Sequence, residues 1–467
     1  MKKIHFFDSL KKQKVLFEPI CDNEVKIYVC GPTVYDDSHL GHAKSAVTFD
    51  LLHRVLKSNG YNVNMTKNFT DIDDKIIKKM HDTNQSLEKI THFYINEYKN
   101  DMQILNNLEN THEPKATDNI DAMIEMINDL MQKDIAYKIS DGVYFDTSKD
   151  KEYGSLSQRI SDENSQARVK INEEKRNQSD FALWKFAKEQ DVSYQAPFGL
   201  GRPGWHIECS AMIKKHLAYK NEAFQIDIHG GGADLLFPHH ENEAAQSRCS
   251  SNTSLAKYWM HNGFITVNGE KMSKSLGNSF FLKDILKSYS GEVIRFYLFT
   301  SHYRADFNFS EEDLLSSKKR LDKIYRLKKR VYGMQGSKIN KTFKDNILNA
   351  LNDDLNTSKA LAVIDELLSI SNDKLDASPK DKNLKKELQA NFEFISEILG
   401  VANNDAYSYF QFGINDETLL KIESLIEKRR EAKKEKNFEL SDKIRDELKS
   451  MDISIMDTSS GVVWEKL

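Results

Sequence analysis

The sequence predicts an α/β protein built on an open parallel sheet, and three neighbouring stretches carry that expectation. Residues 25–30, Val-Lys-Ile-Tyr-Val-Cys, form a short β-branched run closed by Gly31-Pro32, which reads as a strand running into a turn. Residues 41–57 have helical spacing and stop near Asn59-Gly60, and residues 61–65 read as a second strand. Strand, helix, strand opens a parallel sheet with a right-handed crossover.

The other elements follow along the chain. Residues 121–200 are mixed, polar and turn-rich, and read as an insertion between two halves of that sheet. A strand returns at 224–228, Phe-Gln-Ile-Asp-Ile, and runs into Gly230-Gly231-Gly232. From about residue 310 the pattern is almost wholly helical and rich in Glu, Lys and Leu, while 453–464 reads as a small β element. A chain of 467 residues exceeds one ordinary domain, so three or four are expected.

Composition narrows the function classes. Apolar residues make up 39% and charged residues 30%, as in a soluble globular protein with a core. The first 14 residues carry charges and aromatics rather than an apolar stretch and a cleavage site, which argues against a secretory signal. No apolar run approaches the ~20 residues that cross a bilayer. A cytoplasmic protein with no membrane partner is expected. Cys21, Cys30, Cys209 and Cys249, scattered through such a chain, favour thiol or metal chemistry over a disulfide framework. Small buried hydrophobes are the plain alternative. Net charge is −4, yet residues 318–330 carry eight basic side chains and one acidic, and residues 428–436 carry six and two. Such runs either bind phosphate backbones or form solvated helix faces.

Three constellations can carry chemistry. His39-Leu40-Gly41-His42 stands where a helix follows a strand, the place where open α/β sheets bind ligands and helix N-termini favour phosphate. Histidines that merely cap the helix are the structural alternative. Lys271-Met272-Ser273-Lys274-Ser275, followed by Leu276-Gly277-Asn278, suits a cationic clamp on a polyphosphate, or is a plain surface loop. The third is a metal-donor set. Cys30 ends a strand, Cys209 closes Gly204-Trp205-His206-Ile207-Glu208-Cys209, and Phe237-Pro238-His239-His240-Glu241-Asn242-Glu243 follows. Proline favours a first helical turn, so a helix should begin there, and His239 and Glu243, four apart, then share a face. Cys, His and Glu all ligate zinc, and His240 and Glu241 are rivals from the same cluster.

The first two constellations, in this order and about 230 residues apart, resemble the two signatures of class I aminoacyl-tRNA synthetases, the first usually written His-Ile-Gly-His. Leu40 is a swap between similar apolar side chains. Four longer blocks resemble the cysteinyl-tRNA synthetase family: Tyr28-Val29-Cys30-Gly31-Pro32-Thr33-Val34-Tyr35-Asp36, Asn68-Phe69-Thr70-Asp71-Ile72-Asp73-Asp74-Lys75, Arg202-Pro203-Gly204-Trp205-His206-Ile207-Glu208-Cys209-Ser210-Ala211-Met212 and His229-Gly230-Gly231-Gly232-Ala233-Asp234-Leu235. The resemblance runs over about residues 6–464.

That resemblance implies a Rossmann-like catalytic domain in two halves, 1–120 and 201–260, around an inserted connective region, 121–200. A stem-contact region with the lysine loop (261–310), a helical bundle (311–402) and a small mixed α/β anticodon-binding domain (403–467) would follow. It implies a ligase that activates cysteine with ATP and Mg²⁺ and loads it onto tRNA(Cys) as a monomer. Zinc would be held by Cys30, Cys209, His239 and Glu243, in agreement with the pair chosen by helical spacing. His39, His42, Lys271 and Lys274 would be catalytic. Thr33, Gly230, Asp234 and Ser273 would join them in binding ATP, and Gly31, Thr70, Trp205 and His229 would line the cysteine pocket, although Trp205 also reads as a core residue.

Shape alone separates serine from cysteine by only about 10²-fold, as other synthetases illustrate. A metal that takes a soft thiolate separates them far better. The substrate sulfur is therefore expected to enter the zinc coordination sphere, with no need of an editing domain. At the RNA end, Asp353-Asp354-Leu355-Asn356-Thr357 matches the family's bundle motif. Lys433, Phe438, Asp442 and Asp457 match anticodon-contacting positions, with Lys433 for arginine and Phe438 for tryptophan. Phenylalanine still stacks on a base, but lysine lacks arginine's bidentate fork. Two other readings stand beside this one. A ligase coupling cysteine to a sugar amine would not need the long helical C-terminal region, and a zinc-stabilised RNA-binding protein would not need a phosphate clamp.

Overall fold

A short β-branched strand beside a buried helix sets the frame of the structure, a computed structural model. It describes residues 3–158, 174–188, 192–267, 280–458 and 461–466, with the backbone alone at Glu270 and Lys271. Contacts divide the chain into two units. The first holds Met1–Leu282, Ser301–Phe309 and Leu348–Ser358, and the second holds Lys283–Thr300, Ser310–Ile347 and Lys359–Leu467.

The first unit opens with the hairpin of β1 (His5–Asp8) and β2 (Gln13–Leu16). Then come β3 (Glu24–Val29), α1 (Leu40–Ser58) and β4 (Asn62–Lys67), within a residue or two of the predicted bounds. Helices α2 (Asp74–Thr83), α3 (Leu87–Ile104) and α4 (Ile120–Gln132) follow. The stretch that reads as mixed and polar folds into an antiparallel sheet of β5 (Ala136–Ile139), β6 (Gly142–Phe145), β7 (Phe181–Phe186) and β8 (Gly201–Pro203). Its strands are short, yet Val143, Phe145, Leu183 and Trp184 are wholly buried against Met123 and Ile127 of α4. After α5 (Trp205–His216) come β9 (Phe224–Gly232), an irregular turn at Leu236–His240, α6 (Glu241–Ser251) and β10 (Ser254–Asn262). A small sheet joins β11 (Ile265–Val267), β12 (Glu270–Lys271) and β13 (Phe307–Phe309).

The central sheet is all parallel, in the order β10-β9-β3-β4. Helix α1 is buried nearly all round, as a crossover pressed on such a sheet must be. The chain leaves β3 toward β4 on one side and returns through β9 and β10 on the other. The carboxyl ends of β3 and β9 therefore flank a topological switch point, the crevice in which open α/β sheets bind ligands.

The second unit is helical: α7 (Leu282–Ile285) leads in, then α8 (Gly291–Leu298), α9 (Glu311–Arg330), α10 (Lys341–Leu351), α11 (Thr357–Ala377), α12 (Lys382–Leu399), α13 (Asp416–Lys434) and α14 (Phe438–Ser450), although Leu282, the end of α10 and the first two residues of α11 group with the first unit. It ends in the hairpin β14 (Ile453–Thr458) and β15 (Gly461–Lys466). Helix α9 begins at Ser310, with three acids in its first turn and three bases in its last, both suited to the helix dipole. Much of its basic run is paired inside the unit: Lys318 with Asp322, Arg320 with Asp365, Lys329 with Glu465 and Arg330 with Asp376. Among the described residues no helix is long and apolar enough to cross a membrane.

Candidate active site and metal centre

Cys30 is the first residue past β3, and its N–H donates to the Gly230 carbonyl of β9 at 3.1 Å, which places it at the switch point. Gly31 follows, with its N–H on Asn68 Oδ1 at 2.9 Å. A Cβ there would lie 1.6 Å from the Asn68 carbonyl oxygen, so only glycine lets the chain pass.

Four buried donors converge on this point, from the residue after β3, from α5, from the turn before α6 and from the first turn of α6: Cys30, Cys209, His239 and Glu243. Sγ of Cys30 lies 3.6 Å from Sγ of Cys209 and 3.5 Å from Glu243 Oε1, and Cys209 Sγ lies 3.7 Å from His239 Nε2. A tetrahedral zinc with ordinary bond lengths sets such pairs about 3.5–3.8 Å apart. The His239 Nε2 to Glu243 Oε1 distance, 2.8 Å, is instead that of a hydrogen bond and would open slightly around an ion. The donor set fits zinc in its chemistry and in its spacing.

Electrostatics are consistent with a cation site. Burial opposes ionisation of Cys209, yet the hydrogen bond from Cys30 and the facing His239 bring its thiol down to about 6. Burial likewise opposes protonation of His239, but Glu243 beside it raises the imidazole to about 10. Burial and the surrounding thiol and carboxylate push Cys30 well up. Positive charge at the centre is what would let both sulfurs ionise together.

Neighbours hold the donors in place. Glu243 turns its other oxygen to His229 Nε2 at 2.8 Å, while Nδ1 of His229 donates to the Tyr28 carbonyl at 2.9 Å. Nδ1 of His239 lies 3.0 Å from His206 Nδ1, and burial takes His206 down to about 3, so the neutral His206 accepts. Of the rivals, Glu241 is engaged by the Ser157 N–H at 2.8 Å and stands outside the cluster. His240 belongs to an overlapping set with Cys30, His229 and Glu243, but that set has one sulfur, and its Nδ1 is 2.8 Å from His261 Nε2. The set with two thiols is the better zinc site.

Thr70 and Trp205, expected to line the cysteine pocket, stand close to the donor cluster: Trp205 stacks on His239, and Thr70 bonds Glu208, the neighbour of Cys209. Thr33 and Thr70 sit side by side in a parallel bridge beyond the strand ends. The Thr70 hydroxyl donates to Glu208 Oε2 at 2.9 Å, and burial pushes the Glu208 carboxyl well up. Trp205 is 37% exposed, so it is not a buried core residue. Gly230 is buried in β9, whereas Asp234 is exposed beyond that strand.

His39 and His42 form a reciprocal capping box at the start of α1. Nδ1 of His39 accepts the Gly41 N–H at 3.1 Å, and Nδ1 of His42 accepts the His39 N–H at 3.3 Å. In the neutral rings the proton then resides on Nε2, which makes each Nε2–H a donor. The rings stack at 3.8 Å, and a Cβ on Gly41 would come within 2.9 Å of His39. The structural and the chemical readings of this motif are thus compatible: the cap sets the tautomer. Of the lysine loop, Ser273 and Lys274 lie outside the described residues, as does the side chain of Lys271. Its flanks are described: Lys271 pairs with Thr266 of β11, and beyond the loop the Leu40 N–H donates to the Phe280 carbonyl at 3.2 Å. Both ends of the loop are therefore tied near α1.

Lys44, one turn along α1, was not singled out by sequence. It is 2% exposed and donates to the Ala305 carbonyl at 2.6 Å and the Phe264 carbonyl at 3.2 Å, pinning the segment that leads to the loop.

Residues 16–319 match the model of the tRNA synthetases class I (C) catalytic domain, and residues 346–403 match the DALR domain. A cysteine–tRNA ligase of Aliarcobacter butzleri is 72% identical over the whole of both chains. The chain belongs to the cysteinyl-tRNA synthetase family. Curated cysteine–tRNA ligases of Nitratiruptor, 61% identical over 99% of each chain, and of Helicobacter pylori, 55% identical over 99% of each, are further relatives. A methionyl-tRNA synthetase of Mycobacterium tuberculosis shares the class I fold, with a TM-score of 0.61 at 13% identity over 81% of this chain and 92% of that one.

In this family member the four positions expected to contact the anticodon, Lys433, Phe438, Asp442 and Asp457, fall in the second unit. Lys433 is in the last turn of α13, Asp457 in β14, and their side chains meet at 2.7 Å. Phe438 opens α14 and is 64% exposed, and Asp442, exposed one turn on, shares its face.

Proposed function

We propose that this protein activates cysteine with ATP, transfers it to tRNA(Cys), and selects its amino acid through zinc at Cys30, Cys209, His239 and Glu243. The observation that carries this reading is a buried donor set with two thiols, beside Thr70 and Trp205, at the switch point of a class I sheet.

In the first step the cysteine carboxylate attacks the α-phosphorus of ATP and pyrophosphate leaves, forming cysteinyl-adenylate. The nucleophile is already an anion, so positioning and charge neutralisation remain to be supplied. His39 and His42 donate Nε2–H groups to the phosphates as charge builds. Lys271 and Lys274, with Ser273 between, close over the pyrophosphate that ATP brings with Mg²⁺. Gly230 and Asp234 receive the adenosine, Thr33 borders it, and Gly31, Thr70, Trp205 and His229 shape the cysteine pocket. In the second step a terminal ribose hydroxyl of tRNA attacks the adenylate carbonyl and AMP leaves.

Bound zinc supplies a soft Lewis acid that prefers a thiolate to an alkoxide ligand. That preference makes editing unnecessary. Lys433, Phe438, Asp442 and Asp457 face the anticodon, and the protein works as a cytoplasmic monomer. Charging of tRNA(Cys) transcripts tests the reading: cysteine becomes joined to the RNA in an ATP-dependent manner, through an ester that survives acid and is released by mild alkali. Cysteine joined to a sugar amine, with the transcript left uncharged, would contradict it.

A further inference from the structure

A cavity of about 510 Å³ lies between α1, α3 and the ends of β3 and β4, and none of Cys30, His39, His42, Thr70, Trp205 or His229 lines it. Lys67 of β4 does, and its placement is unusual. It is 7% exposed, and although its backbone N–H donates to the His112 carbonyl at 3.0 Å, its ammonium makes no hydrogen bond or ion pair among the described residues. Its nearest company is the Tyr98 ring, whose centroid is 5.1 Å away.

Of the three carboxylates that line the cavity, Glu109 is exposed and the two more buried ones are engaged. Asp50 accepts from Arg54 at 2.7 Å and from the Leu108 N–H at 2.6 Å, and Glu113 is paired with Lys99 at 2.6 Å and takes Asn110 at 2.9 Å. Buried charges are ordinarily paired, so an ammonium that opens only onto a cavity lacks its anion. Burial lowers this ammonium to about 8, against the pull of Glu113, which is the cost an incoming anion would relieve.

The remaining wall says what the anion is attached to. Besides polar residues such as His53, Gln103 and Asn107, it carries Phe49, Met65, Tyr98 and Met102, which present aromatic and thioether surface, and a cavity of this size holds a small organic molecule. One ammonium balances one negative charge, whereas a phosphate dianion would bury a second without a partner. We infer that this cavity is a second ligand site, separate from the cysteine pocket, which binds a small monocarboxylate with an apolar or aromatic body and pairs its carboxylate with Lys67. Val29 shares the wall, pairs in register with Lys67, and precedes Cys30, so the site lies one strand position from the metal donors.

Ligand-observed NMR on the full-length, zinc-loaded protein tests this with 3-phenylpropionate and its neutral amide, in saturating cysteine and ATP. The acid should bind in the millimolar range or tighter and the amide about tenfold more weakly. Lys67→Arg should keep the preference for the acid and Lys67→Met should lose it. Equal binding of acid and amide, displacement of the acid by cysteine, no binding of the acid, or a preference that survives in Lys67→Met would each overturn the inference. The comparison of acid with amide needs only the natural protein, so it stands even if a variant fails to fold.

Discussion

Trp205 lies flat against His239, with ring centroids 4.1 Å apart and 17° between the planes. The indole thus fixes one face of a proposed zinc ligand whose other nitrogen is held by His206. Removing an outer support of this kind commonly costs about 10–100-fold in metal affinity or activity. Trp205→Ala should lower both zinc retention and kcat/KM for cysteine, while Trp205→Phe, which keeps a stacking ring, should lose far less. Metal content and kinetics on the same preparations check this.

The double duty of His39 can be separated. Asparagine is a good N-cap, so His39→Asn should keep the stability of α1 while losing the Nε2–H donor. Cysteine-dependent pyrophosphate exchange should fall about 10²–10³-fold with Tm nearly unchanged. His39→Ala should lose the activity and about 1 kcal/mol of stability besides. Exchange assays beside thermal melts distinguish the two.

Lys44→Met leaves the Ala305 carbonyl without its donor, although the Phe264 carbonyl keeps the Phe307 N–H at 2.9 Å. An abandoned acceptor costs about 1–3 kcal/mol, and looser anchoring of the lysine loop should slow exchange about tenfold with little change in KM for cysteine. Burial holds this ammonium down to about 8, from 10.5. Above about pH 8 the unfolded chain therefore binds more protons at this position than the folded one, and stability from this group rises until about pH 10. The Tm gap between natural protein and variant should widen across that window.

Asp457 is gripped by Arg429, at 2.9 and 3.1 Å, and by Lys433 at 2.7 Å, and these cations hold its carboxyl well below the usual range. Arg429 is itself 1% exposed. Asp457→Ala should destabilise the α13 to β14 region by about 1 kcal/mol, the effect being limited because the carboxylate is half exposed. Charging of tRNA(Cys) should weaken while pyrophosphate exchange stays unchanged, which comparing the two assays would reveal.

Much of this architecture is legible because its signals are local. The run that reads as a strand over 25–30 is β3, Glu24–Val29, and the helix that follows is α1. His239 and Glu243 meet because they are four residues apart, although the helix proper begins only at Glu241, after an extended Phe237 at φ −141° and ψ 133°. What stayed hidden depends on distant partners. Lys44 finds its carbonyls 220 and 261 residues away, a pairing no local pattern encodes. Asp354, read as part of a bundle motif, groups with the first unit, where it takes the Phe7 N–H at 2.9 Å and the Tyr303 hydroxyl at 2.7 Å. The short strands β5 to β8 escaped notice because their polar turns outweigh three to six residues of pattern.

Pyrophosphate exchange with cysteine and with serine, measured on zinc-loaded protein, on chelator-stripped protein and on Cys209→Ser, tests the central claim most directly. Loss of zinc, or of Cys209, should abolish exchange with cysteine, and restored zinc should rescue only the natural protein. Stripped protein that still activates cysteine at full rate and still rejects serine would show that sulfur is recognised in some other way.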